Sequence, residues 1–206
     1  MLSMIGSISV IVAFLAAIVV TVSGIVGGFR RNQTLIDVAR WGSYLMFAAM
    51  TVAFVTMEIA LLTHDFSVEY VSRVGSRETP SYYTAISLWS SLDGSILFWG
   101  WILAAYAALV AFVQRDSNSR LTPFASGVIG FVSIFFFGLL VGPANPFGTV
   151  FPVPANGPGP NPLLQNHPLM GLHPPMLYFG YVGLTVPFAF AIAALLSGKL
   201  DEEWIR

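Results

Sequence analysis

The sequence predicts an all-α fold, a polytopic membrane bundle of about five transmembrane helices with two long loops on its outer side. Two observations lead there. Of 206 residues 56% are hydrophobic and only 9% charged, with mean hydropathy +0.77, whereas an ordinary globular chain carries about 25% charged residues. A soluble domain cannot hide so much apolar surface, and disorder needs the opposite composition. Second, five apolar stretches approach the roughly 20 residues that cross a bilayer core. Proline or charge clusters separate them. The absence of cysteine excludes disulfides, thiol chemistry, Cys-ligated metal centres and covalent attachment of a c-type haem to this chain. A net charge of −1 argues against nucleic acid as a partner.

We read the chain as a single membrane domain, 1–206. The first span covers about 4–29. No Lys or Arg precedes it and it is too long for a signal-peptide core, so a retained helix is expected. A linker with Arg30, Arg31 and Arg40 follows. The second span, about 41–62, contains Glu58. An unpaired acid at the centre of a membrane helix costs about 3 kcal/mol, so Glu58 is expected to be protonated, paired or turned to the bundle interior. A proton or ion path and an interhelical hydrogen bond are both open, the second the more ordinary. The third span, about 95–113, is introduced by Asp93. A linker with Arg115 and Arg120 leads to the fourth, about 123–141, and the fifth covers about 176–196. Trp41, Trp89, Trp99 and Trp101 read as interface-belt or packing residues.

Positive charge sets the orientation. Seven of the nine Lys and Arg residues fall on one side: Arg30, Arg31, Arg40, Arg115, Arg120, Lys199 and Arg206. Only Arg73 and Arg77 fall on the other. The positive-inside rule puts the N-terminus outside and the C-terminus in the cytoplasm. Both long loops, about 63–92 and 142–174, then face the outer compartment, the periplasm in a Gram-negative cell.

Ten of the thirteen prolines fall between Pro143 and Pro175, nine of them in the second outer loop. Proline fixes φ and removes a donor, so an extended, stiff segment without helix or central strand is expected. Its apolar residues, Phe147, Val150, Phe151, Leu163 and Leu164, are expected to pack on the helix ends, unlike a free linker. His173 is followed by Pro174 and Pro175 at the outer mouth of the fifth span, where prolines fit a helix start and hold the imidazole at one depth. Neutral imidazole is a common ligand of metals and haem iron; a hydrogen bond to a loop carbonyl is the alternative. His167 sits in a more loop-like setting. His64 reads as an interfacial cap or a partner of Asp65. Arg73 and Arg77 are four apart, so one short helical face would present both as a carboxylate clamp; solvated loop charges are the alternative. No P-loop, GxGxxG, HExxH or Ser/His/Asp set is present.

These residues carry a resemblance. The run 64–74, from His64 through Asp65, Phe66, Ser67, Val68, Glu69, Tyr70, Val71, Ser72 and Arg73 to Val74, resembles the "DFSVxYV" signature of the CcmF/NrfE-type cytochrome c haem lyase family. Residues 89–99 look like that family's "WxxxEGSLLLW", with Asp93 in place of the glutamate and without the histidine often found before the acid. Asn145, Pro146 and Phe147, then 161–165, then His173, Pro174, Pro175 and onward to Phe188 are similar to its most specific stretch. Together the resemblance covers about 58–195.

It implies a haem-handling membrane subunit of a cytochrome c maturation complex, in a bacterial cytoplasmic membrane or the mitochondrial inner membrane. The family takes haem b from a CcmE-type haem chaperone and ligates it to the CxxCH thiols of apocytochrome c, a holocytochrome-c synthase activity served by thiol-reducing proteins. His173 falls on the family's HPP histidine, an axial ligand to haem iron. Arg73 and Arg77 become weak candidates for propionate or partner contacts, and Trp89 and Asp93 weak candidates for the same cofactor site. The Trp-rich WWD segment, the second outer haem histidine and the membrane-embedded haem histidines have no counterpart before Arg206. The expectation is therefore an N-terminal piece, a split subunit as in plant mitochondrial systems or a truncated product, inactive alone and dependent on a C-terminal haem-lyase subunit that carries the WWD segment. The rival reading is a non-catalytic scaffold or a haem- or ion-transport subunit using Glu58 and Asp93. A transport path needs a continuous polar lining, which the fourth and fifth spans lack.

Overall fold

The computed structural model describes residues 1–117, 119–165 and 167–198. Lys199 and Arg206, used above for orientation, lie outside the described residues. Five helical spans are long and apolar enough to cross a membrane, and the chain is a multi-pass membrane protein.

Helix α1 runs Leu2–Arg30 and α2 Gln33–Leu62. They are joined by a two-residue turn in which Arg31 takes a left-handed φ of 51° and the Asn32 side chain accepts a hydrogen bond from the Leu35 N–H. That cap starts α2 eight residues before position 41. Hydropathy marks where the apolar run begins, whereas the cap marks where the helix begins. The Arg40–Asp37 pair at 2.6 Å lets this charged first stretch remain helical.

The first long loop folds into two short helices, α3 (Glu69–Val74) and α4 (Ser81–Ile86), followed by a 3-10 turn at Ser87–Trp89. Then come α5, Leu92–Val113, and α6, Leu121–Val141. The second long loop was expected to hold no helix, but contains α7 (Pro162–Gln165) and a 3-10 turn at Pro168–Gly171. Each begins on a proline, where the missing N–H has no helical partner to lose. The last span is two helices, α8 (His173–Gly183) and α9 (Thr185–Ser197), broken at Leu184. The ring of Pro187 opposes the carbonyl of Gly183, four residues back, and breaks the run there.

Helix α1 packs between α2 and α6, α2 lies on α5, α6 on α9, and α5 touches α8. The α1–α6 crossing is close because both faces lack side chains. A Cβ on Gly24 would lie 2.6 Å from the Pro123 carbonyl oxygen, and one on Gly127 would lie 2.7 Å from the Ile25 side chain. Small residues let membrane helices approach in this way. Met46, Met50 and Met57 fill the α2 side of the core. By contrast, α8 and α9 bury only Val182, Ala189, Ala193 and Ala194, and Met176 and Leu184 stand largely exposed.

Candidate functional site

The two long loops bind each other through main-chain groups. The Glu69 N–H donates to the Gly148 carbonyl at 2.7 Å and the Val150 N–H to the Ser67 carbonyl at 3.1 Å, around the Val68–Thr149 bridge. The Ser3 hydroxyl of α1 donates to the Phe147 carbonyl at 2.6 Å. Of the apolar residues expected on the helix ends, Phe147 and Leu164 are buried, whereas Phe151 and Leu163 are exposed. Pro152 directly follows Phe151 and biases it away from helical backbone.

Glu78 closes the rim of this clasp. Ser76 and Asn156 both donate to its carboxylate. Those hydrogen bonds, Ser76 first, hold the Glu78 carboxyl below its ordinary 4.5. A depressed folded value adds stability above the unfolded pKa and loses it as pH falls through the folded one. Loop protection against proteolysis is therefore expected to weaken once pH drops below about 4, and Glu78→Gln should remove that step. Unchanged protection of the wild-type loop down to acidic pH would contradict this.

The three imidazoles have different settings. His64 closes α2 with φ 55°, and its Nε2 lies 3.1 Å from the Ser76 carbonyl oxygen. The Asp65 carboxylate, its expected partner, instead takes the Ser67 N–H and hydroxyl, because the left-handed turn swings the imidazole away. His167 caps the 3-10 turn, its Nδ1 accepting from the Leu169 N–H at 3.1 Å. His173 is the first residue of α8. It is exposed and has no hydrogen-bond partner among the described residues. Leu169, Leu172 and Met176 around it in the chain are also exposed.

The segment carrying His173 is held from below. Trp89 Nε1 donates to the Met170 carbonyl at 3.4 Å, and Tyr82 donates to the Pro168 carbonyl at 3.2 Å. Trp89 stacks on Phe98 at 5.4 Å, and Phe98 meets Tyr178 of α8 edge-on at 5.6 Å. Tyr106 donates to the Phe179 carbonyl at 3.0 Å. An aromatic deck from the 3-10 turn and α5 thus supports α8.

The arginines do not share a face. Arg73 is on α3 and forms an ion pair with Asp93 in the first turn of α5. Helix α3 ends at Val74, so Arg77 lies beyond it. Arg77 donates to the Ala155 carbonyl at 3.2 Å and lies over the Phe66 ring at 5.3 Å. The clamp expected from their spacing is absent because the helix stops between them. Tyr70, given no role of its own by its place in the chain, is a supporting residue. Its hydroxyl lies 2.8 Å from both the Ser87 and Leu88 carbonyl oxygens, and burial pushes the phenol's pKa upward. Gly94 fits against that hydroxyl, and any Cβ there would collide with it and with the Leu88 carbonyl. The Asp93-Gly94 pair was the available signal. Glu58 is half-buried with no hydrogen bond or ion pair among the described residues, so the interhelical bond suggested for it is not formed. Among the described residues no three His, Asp or Glu side chains gather as a metal site.

CcmF, a cytochrome c-type biogenesis protein of Haemophilus influenzae, is 34% identical over 207 residues, which cover 100% of this chain and 32% of that protein. The CcmF of Pseudomonas fluorescens is 40% identical over 205 residues, 98% of this chain and 30% of that protein. A solved structure described as the cytochrome c heme lyase CcmF superposes with a TM-score of 0.86 at 29% identity, covering 100% of this chain and 32% of that one. The chain spans about a third of the length of the curated relatives it matches, and corresponds to their N-terminal part. The family model described as cytochrome C assembly protein matches residues 89–204. On that match, over more than half its length, the chain belongs to the cytochrome c assembly protein family.

Proposed function

We propose that this chain is a haem-handling membrane component of cytochrome c maturation that helps ligate haem to the CxxCH thiols of apocytochrome c. The observation that carries the reading is the free imidazole of His173. Of three histidines, it alone is not engaged by the backbone, and it stands exposed at the head of a braced helix. Haem b is the substrate. His173 would offer one axial nitrogen to its iron, and the exposed Leu169, Leu172 and Met176 suit an apolar porphyrin edge. In the reaction each thiol S–H adds across a vinyl C=C, forming an S–C bond and delivering the proton to the neighbouring carbon. The chain's contribution is positioning of the reacting groups. Trp89 would act on the site through the Met170 carbonyl. Arg73 is already committed to Asp93, which leaves Arg77 the better candidate for a propionate or partner contact.

A CcmE-type haem chaperone would deliver the haem. A C-terminal haem-lyase part would bring the WWD segment and the opposite ligand. The N-terminus and both long loops face the outer side of a bacterial cytoplasmic or mitochondrial inner membrane in this reading, with the C-terminus on the inner side. An ion-path reading finds less support, since Asp93 is neutralised by Arg73 and Glu58 alone is no continuous path.

Cells from which the chain is deleted are expected to lose haem-staining c-type cytochromes, with recovery on re-expression. Undiminished covalent haem in the deletion strain would overturn the proposal.

A further inference from the structure

The end of the bundle opposite the long loops holds a cavity of about 540 Å³. That size suits a small ligand. It is formed by the ends of α1 and α5, the starts of α2 and α6, the α5–α6 connection and the last turn of α9. Four guanidiniums line it, Arg31, Arg40, Arg115 and Arg120. Two are compensated: Arg40 by Asp37 at 2.6 Å and Arg115 by Asp116 at 3.1 Å. Arg31 and Arg120 have no ion pair among the described residues. Among the described residues the lining therefore carries two uncompensated positive charges, in a chain whose overall charge is −1. Thr122 lines the same cavity, and its hydroxyl oxygen is buried without a hydrogen-bond partner. Phe29 and Phe124 supply apolar walls, packed edge to face at 4.9 Å.

Guanidinium forks match phosphate oxygens bidentately. Basic pockets between membrane helices bind anionic head groups. We infer that this cavity binds a phosphate group, carried either by an anionic phospholipid whose glycerol and acyl chains meet the phenylalanine walls or by a soluble phosphate ester. The site lies at the far end from His173 and stands independently of the haem reading.

The test uses the full chain purified in detergent, with native mass spectrometry against phosphatidylglycerol, phosphatidylcholine and, separately, pyrophosphate. One phosphatidylglycerol per chain is expected, with weaker retention of phosphatidylcholine. Arg31→Gln combined with Arg120→Gln should weaken retention by about tenfold or more, as loss of charged hydrogen bonds does. The double Arg→Lys variant should recover part of it, which separates charge from misfolding. If pyrophosphate binds in an arginine-dependent way and the lipids do not, the phosphate site stands and its source is soluble. Equal retention of both lipids with no pyrophosphate binding, or full retention by the double Gln variant, overturns the proposal. So does binding that appears only after Asp201, Glu202 and Glu203 are neutralised, since the cavity would then serve the chain's own carboxylates.

Discussion

His173→Ala is expected to reduce haem retention by the assembled maturation complex at least about a hundredfold, because even the outer partners of a metal ligand change affinity by ~10–100-fold. The measurement is the Soret absorbance of affinity-purified complex, read beside haem-stained c-type cytochrome in the same cells. The fold should tolerate the change. The imidazole is exposed and bonds to nothing among the described residues, and surface substitutions of that kind stay within about 0.5 kcal/mol. Thermal unfolding should therefore be unaltered while haem is lost, an outcome a scaffold role does not produce. Added imidazole should restore part of the absorbance to a His173→Gly variant, because the vacated position faces solvent. Full haem absorbance in purified His173→Ala complex would remove the ligand assignment.

The second large effect is structural. Arg73→Ala should destabilise the purified chain by about 2 kcal/mol, measured as thermal unfolding in detergent. Breaking a buried ion pair by removing one partner costs about 3–5 kcal/mol, and a discount is needed here because the Arg73 side chain is 47% exposed. Asp93, only 12% exposed, is then left as an uncompensated carboxylate. Asp93→Asn should cost less, since the arginine left behind reaches solvent. Exchanging the two residues should recover only part of the loss, because the first turn of α5 favours an anion over a cation. An Arg73→Ala midpoint indistinguishable from wild type would mean the pair does not brace α3 against α5.

Much of this protein is legible along the chain. The five spans follow from runs of apolar residues, since a bilayer selects by composition over about 20 residues and needs no knowledge of neighbours. The mouth of the last span is legible too, because His173, Pro174 and Pro175 announce a helix start through proline's fixed φ. Other features are decided by single polar atoms. Asn32 caps α2 far upstream of its apolar run, and Pro187 divides the last span at Leu184. Both signals are in the sequence, but hydropathy averages them away. The i,i+4 spacing of Arg73 and Arg77 was read as a shared helical face. It failed because α3 is six residues long, and periodicity has meaning only while the helix lasts.

By itself, then, the sequence determined that this is a multi-pass helical membrane protein, that its loops are long on one side only, and that a histidine heads its last span. Those properties are local or additive, so composition and order suffice. Only the tertiary structure decided which imidazole is free, which carboxylate claims Arg73, and that four scattered arginines surround one cavity. Apart from the local cap that engages His167, these depend on residues distant in the chain coming together. Such pairing is set by helix packing and loop docking, which no local pattern encodes.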